Sequence, residues 1–146
     1  MVVLAKSWHF AKILHVMPTL QISDATATGK TLNTFTLDGL TERLTVRELL
    51  RARIYQEVQD HNRNGATIFR GLIQPSNTEQ TLNGFKFSKP RTLDWEEQFR
   101  IAQESFERNG FFVLVGDRQA ESLDEEFTLS PQTEVSFVKL VPLVGG

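Results

Sequence analysis

Alternation of apolar and polar side chains predicts a β-hairpin in the first third of the chain. Residues 20–23 and 34–37 place apolar side chains at every second position, the period of a strand with one buried face. The residues around Gly29, between these two segments, are typical of a turn, and Asp38-Gly39 predicts a second turn. We therefore expect the fold to begin with a hairpin centred on Gly29.

The next segment carries apolar residues at helical spacing. Thr45 followed by Glu48 is a capping box, in which the two side chains satisfy free N–H groups at the start of a helix. The apolar positions that recur every three or four residues are Val46, Leu49, Leu50, Ile54 and Val58. Asparagine and glycine at residues 62–65 are typical of a helix end. We expect the main helix between these two boundaries.

A hairpin and a second helix are predicted after the main helix. In order, the pattern indicates a strand over 66–74 weakened by Gly71, a polar connection over 75–83 and a strand over 84–88. The second helix is predicted over residues 94–108, with Asp94 and Glu97 as its capping pair.

The last third of the chain predicts three further strands. Residues 111–115 form a continuous apolar run, which is expected for a strand buried on both faces. A short strand is predicted at residues 127–129. Residues 134–141 alternate, so Val135 and Phe137 should share one face of the last strand. Strands mixed with two helices predict an α+β fold.

Residues 1–16 form an apolar N-terminal extension that is interrupted by charged and histidine side chains. A secretory signal would carry its charges before an unbroken apolar stretch, so this pattern is not that of a signal. The extension could be a packed strand or helix, or an apolar arm that contacts a partner. Alternatively, Met17 could be the natural start. We assign residues 17–146 to one domain.

Composition excludes several classes of function. The chain has 146 residues and no cysteine, which excludes disulfides, thiolate zinc sites, iron–sulfur clusters and a cysteine nucleophile. Its formal net charge of −2 lacks the basic excess of a typical nucleic-acid-binding protein. No apolar run is long enough to span a membrane. We expect a cytoplasmic protein that binds neither nucleic acid nor membrane.

Motifs for catalysis or cofactor binding are weak. Residues 28–31 contain the Gly-Lys-Thr of a phosphate-binding loop, but Asp24 stands where that motif requires glycine. His9, His15 and His61 lack metal-ligand spacing, so packing or surface roles are favoured. We expect no catalytic residue, metal or cofactor, and hence no enzyme activity.

The distinctive feature is the end of the sequence, Gly145-Gly146, which follows the last predicted strand and Pro142. Glycine has no Cβ, so two glycines can pass in extended form through a narrow enzyme channel. A carboxylate at Gly146 would be unhindered, and another enzyme could activate it with ATP. A frayed end that happens to be glycine is the alternative explanation.

The order of hairpin, capped helix, buried strand, short strand, last strand and diglycine resembles the ubiquitin-like β-grasp family. The residues that carry the local likeness are 111–118 (FFVLVGDR), 121–129 (ESLDEEFTL) and 133–146 (TEVSFVKLVPLVGG). They look like the second half of bacterial ubiquitin-like proteins. The likeness covers residues 20–61 and 111–146. Residues 62–110 would then be a hairpin-plus-helix insertion between the main helix and the third core strand.

The resemblance implies a protein modifier that is conjugated through Gly146 in an isopeptide bond, with Gly145 giving steric access. Its partners would be activating (E1-like), conjugating (E2-like) and deconjugating enzymes and target proteins, in a bacterial antiphage setting. Pro142, Leu143 and Val144 would form the tail that partners recognise. This tail is apolar where ubiquitin's is basic, which suggests a dedicated activating enzyme with an apolar channel. No residue after Gly146 would require removal.

Two alternatives share this likeness. One is a sulfur carrier with a C-terminal thiocarboxylate, as in the molybdopterin-synthase and thiamine-type carriers. The other is a non-covalent interaction module. We expect a docking patch on the exposed sheet face, with the outward member among Phe111, Val113 and Val115 left open, and self-association is a further hypothesis. Lysines for chain building would be Lys6, Lys12, Lys30, Lys86, Lys89 and Lys139.

Overall fold

The computed structural model describes the backbone of residues 16–140 and the side chains of residues 19–140. Its elements, in chain order, are β1 (Val16–Thr26), β2 (Thr31–Thr41), β3 (Arg43–Thr45), α1 (Val46–Asn64), β4 (Ile68–Phe69), β5 (Thr78–Thr81), β6 (Gly84–Phe87), α2 (Trp95–Glu107), β7 (Phe111–Val115), β8 (Arg118–Gln119), β9 (Glu126–Thr128) and β10 (Val135–Lys139). The predicted α+β class is confirmed.

These elements divide into two compact units. The first unit contains the described residues up to Val46 and those from Gly110 onward, and the second is the continuous segment Arg47–Asn109. The first unit is therefore discontinuous in sequence, and the second lies between its two parts along the chain.

A five-stranded mixed sheet forms most of the first unit, in the order β2-β1-β10-β7-β8. β1 pairs antiparallel with β2, as the hairpin prediction requires, and parallel with β10. β10 pairs antiparallel with β7 on its other side. Ile22 illustrates the register, since it lies opposite Phe35 on one side and Val135 on the other. The last strand in sequence is thus central in the sheet.

One face of this sheet is buried and the opposite face is not. The buried side chains include Leu20, Ile22, Leu37, Phe111, Val113, Val135 and Phe137. Phe112 and Leu114 alternate with them on β7 and are only half-buried. The expectation that residues 111–115 are buried on both faces is therefore wrong, because the apolar run continues across a face that keeps access to solvent.

A second, two-stranded pairing joins β3 to β9 in the same unit, with Leu44 opposite Phe127. Backbone hydrogen bonds extend this pairing at both ends. The Val46 N–H donates to the Glu125 carbonyl at 3.0 Å, and the Leu129 N–H donates to the Glu42 carbonyl at 2.7 Å. The short strand predicted at residues 127–129 is confirmed with a shift of one residue.

The second unit contains α1, α2 and a three-stranded sheet in the order β4-β6-β5. α1 begins directly after Thr45 and ends before Gly65, whose φ of 62° is favoured in glycine. Asp94 caps α2, and its side chain accepts a hydrogen bond from the Glu96 N–H at 3.1 Å. Both predicted helices are confirmed, but Glu97 pairs with Arg100 instead of completing a capping pair.

A buried ion pair lies within the second unit. Arg53 is 1% exposed, and its Nε donates to Glu57 Oε1 at 2.5 Å, one helical turn along α1. Glu57 Oε2 accepts a hydrogen bond from the Leu72 N–H at 2.9 Å. The carboxylate thus joins α1 to the irregular segment that follows β4.

Two local predictions for the second unit were wrong. The strand expected over 66–74 is limited to β4, because the backbone near Leu72 bonds to the Glu57 side chain instead of a strand. The connection expected over 75–83 contains β5, a polar strand paired with β6.

In the first unit, the turn expected at Asp38-Gly39 lies inside β2, where Gly39 adopts a φ of 71°.

Candidate functional site

The sequence assigns function to the tail that follows β10. β10 lies between β1 and β7, and Leu140, which comes next, is 38% exposed. Pro142, Leu143, Val144, Gly145 and Gly146 lie outside the described residues. Their predicted roles in conjugation and partner recognition therefore stay predictions, and the structural description concerns the strand from which they emerge.

An ion pair joins the end of β10 to its parallel neighbour. Lys139 Nζ lies 3.6 Å from Asp24 Oδ2, with the lysine side chain 29% exposed and the aspartate 1% exposed. Asp24 is opposite Phe137 and Lys139 is opposite Thr26, so the contact is a diagonal one between adjacent strands. A buried carboxylate needs a cation or hydrogen-bond donors, which makes Lys139 part of the structure of this strand end.

Three apolar side chains lie together on the solvent-accessible face of the sheet, and we call them the outer-face patch: Phe112, Leu114 and Val138. Phe112 on β7 lies directly opposite Val138 on β10. All three are half-buried, while their strand neighbours Val113 and Phe137 are fully buried on the other face. Side chains directly opposite each other on one face of a sheet are in contact distance, so the patch is continuous across the two strands.

The same face becomes polar toward the edge strand β2. On this side Gln21 lies opposite Thr36, and Ser23 lies opposite Thr34. Ser136 on β10 is opposite Leu114 and Ser23, so it marks the boundary of the patch. The outer face thus has an apolar half and a hydroxyl- and amide-bearing half.

The structure decides which residues of β7 face outward. Phe111 and Val113 are buried, and Val115 is half-buried on their face of the strand. The outward side chains Phe112 and Leu114 were not singled out from the sequence. Side chains on a strand alternate between its two faces, so Phe112 and Leu114 must face outward once Phe111 is known to be buried. Because residues 111–115 are all apolar, the sequence did not show which of them lie on the buried face.

Two acidic residues at the start of β9, Glu125 and Glu126, have structural contacts. Glu125 Oε1 accepts a hydrogen bond from the Glu121 N–H at 3.1 Å, and Glu125 Oε2 forms an ion pair with Arg118 Nε at 3.1 Å without hydrogen-bond geometry. Glu126 lies 3.7 Å from the guanidinium of Arg43. Glu125 is 14% exposed and Glu126 is 59% exposed, and each carboxylate contacts an arginine, so both are structural ion-pair partners.

The Gly-Lys-Thr sequence lies in the turn between β1 and β2. The Thr26 N–H donates to the Lys30 carbonyl at 2.8 Å, and Gly29 has a φ of 91°. A phosphate-binding loop requires a helix after the lysine, whereas β2 begins at Thr31. The prediction that this segment is a hairpin turn is confirmed.

His61 is a packing residue. Its ring stacks on Phe87 with centroids 5.0 Å apart and meets Phe69 edge-on at 5.3 Å. Its Nε2 lies 3.0 Å from the Arg91 carbonyl oxygen, as a hydrogen-bonding donor would. His9 and His15 lie outside the described residues. Among the side chains of residues 19–140, no group of histidines and carboxylates is arranged to hold a metal ion.

Arg100 forms ion pairs with two glutamates on the surface of α2. Arg100 donates to Glu97 at 2.6 and 3.1 Å and to Glu104 at 2.7 Å. The hydrogen bond and the positive charge of Arg100 lower the pKa of Glu97, and the two carboxylates raise the pKa of Arg100. All three groups are exposed, so this is a screened surface network of small energetic effect.

The candidate lysines differ in their accessibility. Lys30, Lys86 and Lys89 are exposed, whereas Lys139 is half-buried and paired with Asp24. Lys6 and Lys12 lie outside the described residues. The structure therefore leaves Lys30, Lys86 and Lys89 as the accessible amines of the described part of the chain.

Comparisons of the chain with protein-family models, with curated proteins and with solved structures find no match. In the part of the chain that the structure describes, neither helix combines the length and the apolar character needed to cross a membrane.

Proposed function

We propose that the chain is a ubiquitin-like modifier with a β-grasp sheet, whose C-terminal carboxylate a partner enzyme activates and transfers to target proteins. The position of β10 carries this proposal. A β-grasp places its final strand between the first strand and the third core strand and parallel to the first. β10 lies between β1 and β7 and is parallel to β1. This topology supports the family that the sequence resembles.

The site supports the same conclusion through its connection to the tail. β10 ends at Lys139, which Asp24 of β1 pairs with, and residues 141–146 follow this strand end in the sequence. The outer-face patch includes Val138, the residue of β10 that directly precedes Lys139. We propose that the activating and conjugating enzymes contact this patch while the diglycine occupies their active sites.

The proposed chemistry takes place on partner enzymes. An oxygen of the Gly146 carboxylate attacks the α-phosphorus of ATP, and pyrophosphate leaves. A cysteine thiolate of the activating enzyme then attacks the acyl carbon and expels AMP. A target amine finally displaces the thiolate and loses a proton to give an amide. Because this chain contains no cysteine, each thioester sulfur must belong to a partner.

The experiment is a denaturing blot of the N-terminally tagged protein expressed with its native neighbours. Wild type is compared with a variant that lacks Gly145-Gly146 and with Leu82→Ala, which alters an exposed hairpin-tip side chain of the second unit. We expect heavier bands that resist reductant in wild type and Leu82→Ala. The bands should be missing in the deletion variant.

Intact mass of the unconjugated protein distinguishes the remaining possibilities. A mature chain that ends in Gly146 is required by the proposal, and a different terminus would contradict it. Replacement of one carboxylate oxygen by sulfur, without conjugates, would identify a sulfur carrier. An unmodified Gly146 with no conjugates would identify a non-covalent interaction module.

A further inference from the structure

A row of aromatic side chains and one arginine crosses helices α1 and α2 of the second unit. The rings of Tyr55 and Trp95 meet edge to face with centroids 5.3 Å apart, and those of Trp95 and Phe99 stack at 6.3 Å. The guanidinium carbon of Arg51 lies 5.2 Å from the centroid of the Trp95 ring. We call Arg51, Tyr55, Trp95 and Phe99 the aromatic–arginine ridge.

The ridge is accessible to a partner. Tyr55 is 46% exposed, Arg51 is exposed, and Trp95 and Phe99 are half-buried. On each helix the two ridge residues are separated by four positions, so they lie one turn apart on the same side. Tryptophan, tyrosine and arginine are the residues most enriched among those that dominate binding energy at protein interfaces.

Arg51 has no ion-pair partner in the described part of the chain. Among the residues that the structure describes, it forms no ion pair, whereas Arg100 in the same unit binds two carboxylates. A guanidinium that lies over an aromatic face keeps its N–H edge available, and this edge matches the two oxygens of a carboxylate. The indole also restricts the arginine, which reduces the entropy lost on binding.

We propose that the aromatic–arginine ridge binds a linear peptide segment of a partner protein, in which a carboxylate side chain lies next to an apolar one. The carboxylate would bind the edge of Arg51, and the apolar side chain would cover Tyr55 and Trp95. This recognition is independent of the diglycine, so it does not rest on the proposed modifier function.

Selection of random twelve-residue peptides displayed on phage, with the full-length protein immobilised, tests this proposal. Enriched peptides are then synthesised, and their dissociation constants are measured by fluorescence anisotropy. The matched control is Arg70→Gln, which removes another exposed arginine of the second unit. Arg70 bonds a backbone carbonyl and has no carboxylate partner among the residues that the structure describes. Thermal unfolding of each variant checks that the fold is retained.

We expect the enriched peptides to contain an acidic residue beside an apolar one. Arg51→Gln should weaken their binding at least about tenfold, because a hydrogen bond to a charged group is lost. Arg51→Lys should bind with intermediate affinity, because it keeps the charge but loses the planar fork. Trp95→Ala should weaken binding as well, and Arg70→Gln should match wild type.

Four results would overturn the proposal. The first is that no peptide is enriched on wild type over Arg51→Gln, and the second is that enriched peptides lack acidic residues. The third is a concentration-dependent mass in light scattering that Arg51→Gln abolishes, which would assign the ridge to contacts between copies of the chain. Binding of polythymidine that depends on Trp95 would likewise replace the peptide with a nucleic acid.

Discussion

Lys139 and Asp24 form a diagonal ion pair between two adjacent parallel strands, with 3.6 Å between Nζ and Oδ2. The aspartate is buried on the core face of β1, although an apolar residue would fit the period set by Leu20 and Ile22. Since the lysine is the last residue of β10, the contact lies directly before the predicted tail. It therefore holds the last residue of β10 against β1, directly before residues 141–146 in the sequence.

Loss of this ion pair should destabilise the first unit. Lys139→Met is expected to lower the free energy of unfolding by about 1–3 kcal/mol, because the buried Asp24 carboxylate loses its cation. Urea unfolding followed by circular dichroism measures the change. In a double-mutant cycle, Asp24→Asn with Lys139→Met should cost less than the sum of the single changes. Additive effects would show that the two groups do not interact.

The outer-face patch gives a prediction about partner binding that rests on the proposed modifier function. Leu114→Asp places a charge in the patch and should remove most conjugates from the denaturing blot. Leu82→Asp introduces the same charge at a leucine that is 105% exposed on the β5–β6 turn, and it should leave the conjugates unchanged. Equal loss of conjugates in both variants would contradict a role for the patch.

Asn62 should control the connection between β6 and α2. Its side-chain amide donates to the Leu93 carbonyl at 2.9 Å and accepts from the Leu93 N–H at 2.7 Å. Asn62→Ala leaves both backbone groups without this partner, so we expect a loss of about 1–3 kcal/mol in stability. Amide hydrogen exchange at Leu93 should accelerate. Unchanged protection of that amide would argue against the prediction.

Gly71 should not tolerate a larger side chain. A Cβ built there would lie 2.1 Å from Cζ of Phe69 and 2.4 Å from Oε2 of Glu57. Because the Phe69 ring is buried and Glu57 is held by Arg53 and the Leu72 N–H, neither neighbour can move freely. Gly71→Ala should cost about 1–3 kcal/mol of stability. In a Phe69→Leu background, Gly71→Ala should cost less stability than it does in wild type. An equal cost in both backgrounds would show that the Phe69 ring is not the source of the clash.

The elements that the sequence predicted well share strong periodicity or clear end signals. α1 and α2 were found from apolar spacing and from caps such as Asp94. β5 was missed because its residues are all polar, so no alternation marks it. Gly39 suggested a turn, but Leu40 beyond it is 5% exposed, and its burial keeps the chain in the strand.

The candidate site was predictable only in part. The resemblance predicted the chain order of the elements up to the last strand, whereas the central position of β10 and the outward direction of Phe112 and Leu114 required the sheet topology and register. The burial of Arg53 left no trace in the sequence, since a lone arginine on a helix usually faces water. The aromatic–arginine ridge was not visible either, because it combines residues from two helices far apart in the chain.

The strand order has a consequence for synthesis of the protein. On the ribosome, the segment Arg47–Asn109 leaves the exit tunnel before β7 and β10 do, so its contacts can form early. The β1–β2 hairpin must wait for β10, its central neighbour, and closing that long loop is entropically slow. The nascent chain therefore keeps an unfinished sheet edge until Lys139 has left the exit tunnel, and a chaperone would be of most use during this interval.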